Sequence, residues 1–420
     1  MSLTSVLFTG STGLQANSED LDVVGNNLAN MSTTGYKDQS TSFKDIVYQT
    51  LNPGSGPTAT LGGTNPIQTG FGVAVGATST NFSQGSITPT GNTQDAAIQG
   101  NGFFVLSSGT GLNYSRNGAF SVNSSGFLVD PNTGDLVQRT GTVGEGTATT
   151  PGFQVPGNNN IQIPIGTGIP GTATANVTLQ GNIDSQTPLN GTVNASIQVY
   201  DSQGTAEALN VTFTNTGSNT YTASATISGG TATVTGNPVT FDQNGLLLSP
   251  STLAVAVTGI SGAAAQTINL NLGTPGEANG LTQTGGASTA NAVSQDGAAS
   301  GTLTSVSFDQ SGTIQGSFTN GQTLPIAQLA IASFNNQSGL LLQGNNYFAA
   351  SAASGSALVG TAGSGGLGTV QGGSLEGSNV DISTEFSQLI IAQRGFQINA
   401  QTVTVADQTL QTLAGIISQG

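Results

Sequence analysis

Leucines recur every seven residues at the start of the chain, at Leu7, Leu14, Leu21 and Leu28. Leu3, Gly10, Asn17, Val24 and Met31 interleave at alternating three- and four-residue offsets, the seam pattern of a helix that packs on another helix. This predicts a helix over residues 1–31, ended by the turn chemistry of Ser32-Thr33-Thr34-Gly35. The far end follows the same plan. Ile382, Leu389, Phe396, Val403, Leu410 and Ile417 are again seven apart, and Phe386, Ala400, Ala406 and Leu413 fill a second row less regularly. Asp381, Ser383 and Thr384 are N-cap candidates for this second helix, which is expected to run almost to Gly420.

Between the helices the period drops to two. Short apolar runs such as Gly102-Phe103-Phe104-Val105-Leu106, Ile197-Gln198-Val199-Tyr200 and Leu329-Ala330-Ile331-Ala332 are bounded by Gly, Asn, Asp and Ser clusters. Phe241-Asp242-Gln243-Asn244-Gly245 and Phe308-Asp309-Gln310-Ser311-Gly312 have hairpin chemistry, an Asx side chain bonding the backbone and Gly taking positive φ. The expected fold is mixed α and β. Long terminal α-helices pair as a coiled-coil-like domain, and two predominantly antiparallel β domains are inserted between them. The expected divisions are 1–31 plus 378–420 for the helical assembly domain, and 32–70 for a linker. An inner β domain takes 71–145 plus 290–377, and an outer β domain takes 146–289. An isolated amphipathic helix is marginal in water. The leucine rows must therefore meet each other, as a helical hairpin, or the helices of other copies.

Charge narrows the function. Only 6% of residues are charged, and 20 acidic against 5 basic residues leave a net charge of −15. Phosphate neutralisation dominates nucleic-acid affinity, so nucleic acid and anionic lipid are excluded as partners. The chain has no Cys, His or Trp, which removes the commonest general base, nucleophile and metal ligands. Scattered carboxylates remain, and the expectation is no enzyme, no metal and no cofactor. Asp130, Asn132 and Asp135 superficially resemble a calcium loop, but their spacing breaks the EF-hand pattern and hairpin chemistry accounts for them. Arg116 and Arg139 are expected to pair with carboxylates, since cations are so scarce. Arg394 is either an intersubunit partner or an exposed helix charge, and Asn17 and Gln393 either fix helix register or face solvent. No basic residue precedes Lys37 and no long apolar core follows, so no cleavable secretory signal and no membrane insertion are expected.

Several distinctive stretches follow one another along the chain. The first is Leu21-Asp22-Val23-Val24-Gly25-Asn26-Asn27-Leu28-Ala29-Asn30 with Thr34-Gly35-Tyr36-Lys37. The interior adds Phe82-Ser83-Gln84-Gly85, Gly100-Asn101-Gly102-Phe103-Phe104 and Tyr114-Ser115-Arg116-Asn117-Gly118. The C-terminal end adds Leu375-Glu376-Gly377-Ser378-Asn379 and Ala392-Gln393-Arg394-Gly395-Phe396. Taken in this order, these stretches resemble the flagellar axial proteins of bacteria. The long segment 146–289 and Val199-Tyr200-Asp201-Ser202-Gln203-Gly204 are similar to the hook proteins within that family. The resemblance implies a structural subunit that leaves the cell through the flagellar type III export apparatus without a cleaved signal. It implies a curved extracellular tube that carries motor torque as a universal joint. The implied partners are the chain itself, the distal rod protein, the hook cap protein and the hook-filament junction proteins. A distal rod or hook-associated protein is the alternative in the same class; a secreted β-rich adhesin or glycan-binding protein is the alternative outside it.

Overall fold

The computed structural model describes residues 3–58, 60–146 and 152–418. Two long helices, α1 (Leu3–Ala29) and α2 (Ile382–Ser418), lie at the two ends of a chain that is otherwise strand and turn. Asp381 starts α2: its Oδ1 accepts the Thr384 N–H at 2.9 Å, satisfying one of the orphan donors of the first turn. Beyond α1, Gly35 takes a φ of +71° that a side chain would resist, and its N–H donates to the Glu376 carbonyl at 2.8 Å. No helix among the described residues is long and apolar enough to cross a membrane.

The helices pack antiparallel. Gly10 faces Val403, Gly13 faces Asn399 and Asn17 faces Gly395, so α2 rises in number as α1 falls. A Cβ built on Gly10 would sit 2.7 Å from Val403 Cγ2, and one on Gly13 would sit 2.7 Å from the Asn399 amide. The closest approach is therefore made by small residues, with Ala16, Ala392 and Ala406 buried beside the glycines. Leu7, Leu14, Leu21 and Leu28 flank it half-buried, as do Leu389, Val403 and Leu410, while Val24 is fully buried. Ile382, Phe386, Phe396 and Leu413 are exposed. The side chains of Leu3 and Ile417 lie outside the described residues. Of the two predicted rows, the one with Gly10, Asn17 and Val24 makes the closest approach, because small residues let two backbones meet, and the leucine row flanks it.

The stretch expected as a linker is an ordered arm. Gln39–Asp45 pairs antiparallel with Val73–Thr80, and beyond it Tyr48–Asn52 pairs with Ile67–Gly70. Its root rests on α1, where Gly72 lies against Thr9 and Thr12. Beyond those strands the backbones of Ser55 and Thr64 bridge antiparallel, each N–H donating to the other's carbonyl.

Strand Phe103–Ser107 lies at the centre of a nine-stranded sheet, and its alternation serves two cores. Phe104 and Leu106 join Leu128, Ile161, Ile314 and Ile331. Phe103 and Val105 face the other way, into an aromatic cluster with Tyr114, Phe334 and Phe348. There the Tyr114 and Phe334 rings meet edge-on, 4.8 Å between centroids. A third core holds Leu179, Val199, Phe213, Tyr221, Val255 and Leu270, drawn from a six-stranded and a five-stranded sheet. Antiparallel pairs dominate, but Asn176–Asp184 runs parallel to both Gln266–Asn271 and Leu281–Thr284.

The expected boundaries at 146 and 289 are displaced. Phe153, Ile161 and Ile163 pack into the core around Phe104, and Gly168–Ile169 pairs with Gly301–Phe308. Asn291–Gln295 instead pairs with Asn176–Asp184. Thr/Gly-rich composition continues across both points, so it does not mark which sheet a strand joins. The chain crosses between the two regions at Thr172 and Ala298, whose backbones exchange two hydrogen bonds of 2.9 Å.

Gly118 is a strict test of this packing, since a Cβ there would fall on the Ala96 carbonyl. Backbone cannot swing aside as a side-chain tip can. Gly118→Ala is expected to destabilise the chain by about 3 kcal/mol, read as a lower midpoint in urea unfolding.

Candidate assembly site

Three distant segments meet at one buried ion cluster. The Lys37 Nζ donates to Glu376 Oε1 at 2.6 Å and to the Ser83 carbonyl at 2.7 Å. Arg116 Nη1 donates to the other oxygen, Oε2, at 3.2 Å, and Nη2 to the Gly100 carbonyl at 2.8 Å. The Gly85 N–H adds a further bond to Glu376 Oε1 at 2.9 Å. All three side chains are shut off from solvent, at 0–1% exposure. The guanidinium also sits 5.4 Å from the Phe103 ring centroid, tying the cluster to the aromatic core. Burial pushes the Lys37 amine and the Arg116 guanidinium below their ordinary values, and Glu376 opposes both shifts. One carboxylate between two cations satisfies both of its oxygens; among the described residues neither cation has another acid in salt-bridge contact.

The amides around the cluster join it to the helices. Asn27 is fully buried at the end of α1, with its Oδ1 accepting the Gln39 N–H at 3.0 Å and the Tyr36 hydroxyl at 3.1 Å. Its Nδ2 donates to the Gln39 carbonyl at 2.7 Å, and Asn26 Nδ2 donates to the Tyr36 hydroxyl at 3.1 Å. Across the junction, Asn379 Oδ1 accepts the Asp38 N–H at 2.8 Å while its Nδ2 reaches the Asn81 carbonyl at 2.9 Å. The Gly377 N–H donates to Ser86 O at 2.8 Å, Ser378 Oγ accepts the Val380 N–H, and Asn30 caps back onto the Asn26 carbonyl. Of the signature residues, Asn26, Asn27, Asn30, Gly35, Tyr36, Lys37, Phe103, Glu376, Gly377, Ser378 and Asn379 surround this junction. Phe104 follows Phe103 on the same strand with its side chain on the other face, and Gly102 just before that strand takes φ +135° against Ile331. Gln393 and Arg394 lie elsewhere, exposed on α2.

A second group of charges packs between α1, α2 and the arm. Glu385 is 4% exposed and its Oε2 has no hydrogen-bond partner; Asp38 Oδ1 is likewise buried without one. Burial raises the Glu385 carboxyl above its ordinary value, Asn27 opposes, and the charges of Asp38, Asp20 and Asp381 raise it further. Burial raises Asp20 and Asp38 too, against hydrogen bonds from Thr41 and from Asn81 and Asn379. At the resembling calcium loop, Asp130 Oδ1 takes the Asn132 N–H at 2.9 Å and Oδ2 the Tyr347 hydroxyl at 2.9 Å, while Asp135 takes Asn113 Nδ2 at 2.9 Å. Arg139 pairs with Glu145 at 2.6 Å.

The outer surface of α2 carries an apolar row that the sequence reading passed over. Ile391, Ile398 and Val405 are 70%, 62% and 61% exposed, on the side away from α1. They too are seven residues apart. Counting chose one heptad frame in a helix that carries two. Asn17 is turned into the seam against Gly395, whereas Gln393 faces solvent.

Four family models match the chain in sequence order. Residues 7–37 match the flagella basal body rod protein model, and 97–185 the flagellar hook protein FlgE/F/G D1 domain. Residues 169–298 match the flagellar basal body protein FlaE D2 domain, and 371–416 the flagellar basal body rod FlgEFG protein C-terminal model. The flagellar hook protein FlgE of Borreliella burgdorferi is 35% identical, over 97% of this chain and 98% of that one. The flagellar hook protein FlgE of Salmonella typhimurium is 36% identical, over 96% of this chain and 98% of that one. A crystal structure of Helicobacter pylori flagellar hook protein FlgE2 aligns at a TM-score of 0.49 and 14% identity, covering 68% of this chain and 99% of that one. The terminal and interior matches define a flagellar axial protein. The chain belongs to the flagellar hook protein FlgE family and is a hook subunit.

Removing one member of a buried ion cluster strands the rest. Glu376→Ala is expected to cost about 3–5 kcal/mol, and Glu376→Gln less because an acceptor remains; urea unfolding of both variants measures the difference.

The acids at the helix roots respond to pH in the reverse of the usual carboxylate sense. Glu385, Asp20 and Asp38 have raised values, so the folded state binds the extra protons, and ionising them opposes folding. That penalty is relieved as pH falls through the raised values toward 4.5, the ordinary value of Glu385. Asp296 and Asp309 behave oppositely. Burial pulls them up, but hydrogen bonds from Asn176 and Ala175, and from Ser311, Thr313 and Gln315, hold both low. Their stabilisation is present above 3.8 and lost as pH falls through the depressed values. Mild acidification from neutrality is therefore expected to raise the melting temperature of the 222 nm helix signal, and Glu385→Gln to flatten that dependence.

Proposed function

We propose that the subunit assembles through the outward faces of its terminal helices into a curved extracellular tube. That tube acts as a universal joint between rod and filament. The observation that carries this reading is the exposed row Ile391, Ile398 and Val405 on a helix whose other side is already occupied by α1. A buried side chain of this size contributes roughly 1.5–3 kcal/mol, so a row left in water is a large gain awaiting a partner. Phe8, Ile382, Phe386, Phe396 and Leu413 extend the apolar surface around both helices. The same contact repeated at every copy, under a rotation that does not close, produces an open helical polymer.

The working divisions are a coiled-coil-like domain of α1 and α2, the arm, an inner β domain around Phe104, and an outer β domain from about Thr172 to Ala298. The outer surface, rich in hydroxyl and amide groups, would let neighbouring copies slide as the tube bends. The remaining parts of the reading follow the family resemblance. They are passage through the type III export apparatus without a cleaved signal, growth beneath the cap protein, and contacts with the distal rod and hook-filament junction proteins. No catalytic step enters it.

The test is extension of short hook fragments by purified subunit, scored by negative-stain electron microscopy. Wild-type chain is expected to lengthen the fragments into curved tubes. The variant Ile391→Ser/Ile398→Ser/Val405→Ser is expected to keep its urea midpoint and add at least ~10-fold more slowly. Equal extension by the variant would remove the outward row from assembly.

A further inference from the structure

Cations are scarce enough in this chain for one of them to specify a contact. Of the five, Lys37, Arg116 and Arg139 are buried in ion pairs. Lys44 lies exposed on the arm. The helix pair has a single one: α1 contains no Lys or Arg, and α2 contains only Arg394. Against it stand Glu19, Asp20 and Asp22 on α1. Asp20 is half-buried on the side of the arm, near Thr41. Glu19 and Asp22 are exposed. Among the described residues neither has an ion-pair partner, and Arg394 meets only Gln397 Oε1, at 3.2 Å.

The placement of these charges is asymmetric. Gly10, Gly13, Asn17 and Val24 fix the side of α1 that faces α2. At ~100° per residue, Glu19 and Asp22 point to the opposite side. Ala392, Asn399, Val403 and Ala406 fix the side of α2 that faces α1, and Arg394 points away from it. One outer face of the helix pair is thus acidic, and the other carries a cation.

They also share a level. Asn17 lies opposite Gly395, which puts residues 19–22 of α1 beside residues 390–393 of α2. Arg394 is within about one helical turn, ~5 Å, of both acids along the axis, a gap its long side chain spans. Within one copy the two faces cannot meet, because the helices stand between them. Between two copies set side by side with little axial shift, α2 of one against α1 of the next, they meet directly. The geometry points to a lateral stitch in which Arg394 of each copy engages Glu19 and Asp22 of its neighbour.

This inference rests on the assembly reading above and adds a direction to it. The contact is head-to-tail around the tube, so each copy gives a cation on one flank and receives one on the other. Apolar rows tolerate slippage by a heptad; one charge per helix pair does not, so the stitch sets register and speeds correct docking more than it adds affinity.

The experiment is the extension assay in 0.05 M and 0.5 M salt with wild-type chain, Arg394→Glu, and Arg394→Glu/Glu19→Arg/Asp22→Arg added to fragments grown from the same protein. Wild type is expected to extend ~10-fold faster at low salt than at high salt. Arg394→Glu should lose that low-salt advantage, and the full swap should restore it, with urea midpoints unchanged throughout. Wild-type extension matched by Arg394→Glu, or a swap that fails to restore the rate, overturns the stitch and leaves the apolar assembly reading standing. Wild type that does not extend at all overturns both.

Discussion

A carboxylate held between two cations in the absence of water organises this molecule. Glu376 lies 339 residues from Lys37 and 260 from Arg116, and the electrostatic attraction within the cluster repays desolvation only when all three are in place. Neither cation can be buried at low cost until Glu376 arrives from near the end of the chain. Closing so long a loop carries an entropic cost, which the completed cluster helps to offset. Around it the amides of Asn27 and Asn379 lock the exits of α1 and α2 to the same patch of sheet. The directions of both helices follow from that patch.

The two sides of the helix pair divide the work. Inside, glycine and alanine give backbone approach, with Asn17 and Asn399 set against glycines to fix the register. Outside, large aliphatic side chains stand in solvent and the charges are sorted by flank. A seam of leucines would make a more stable hairpin and leave less reason to associate. A small-residue seam keeps the pair thin and spends its bulky residues on the surface, where another copy can use them.

Much of this was legible in the sequence, and the failures have physical causes. Heptad spacing located both helices, and Asp381 and Gly35 marked a start and a stop because capping and positive φ are local requirements. Periodicity found both rows on α1 without ranking them; the row with Gly10, Asn17 and Val24 makes the close approach because that depends on which residues are small. The strands of the arm were not legible in 32–70, because they depend on pairing between 39–52 and 67–80 rather than on a local signal. The ion cluster was only half visible. Lys37, Arg116 and Glu376 each lay in a resembling stretch, and scarcity of cations implied that Arg116 was paired, but no local rule brings residues so far apart together. Which sheet the strands near 146 and 289 join was hidden for a similar reason: strand partners, not composition, decide it.

The bridge between Thr172 and Ala298 has a consequence for how such a chain can vary. The backbone leaves the inner region and returns to it at one pair of hydrogen-bonded residues. To the rest of the molecule, everything between them is a closed excursion with fixed end points. Strands can be added to that excursion, or removed from it, without moving Glu376 relative to Lys37. Extra length can therefore be taken up between Thr172 and Ala298 while the cluster that ties the two ends of the chain together keeps its geometry.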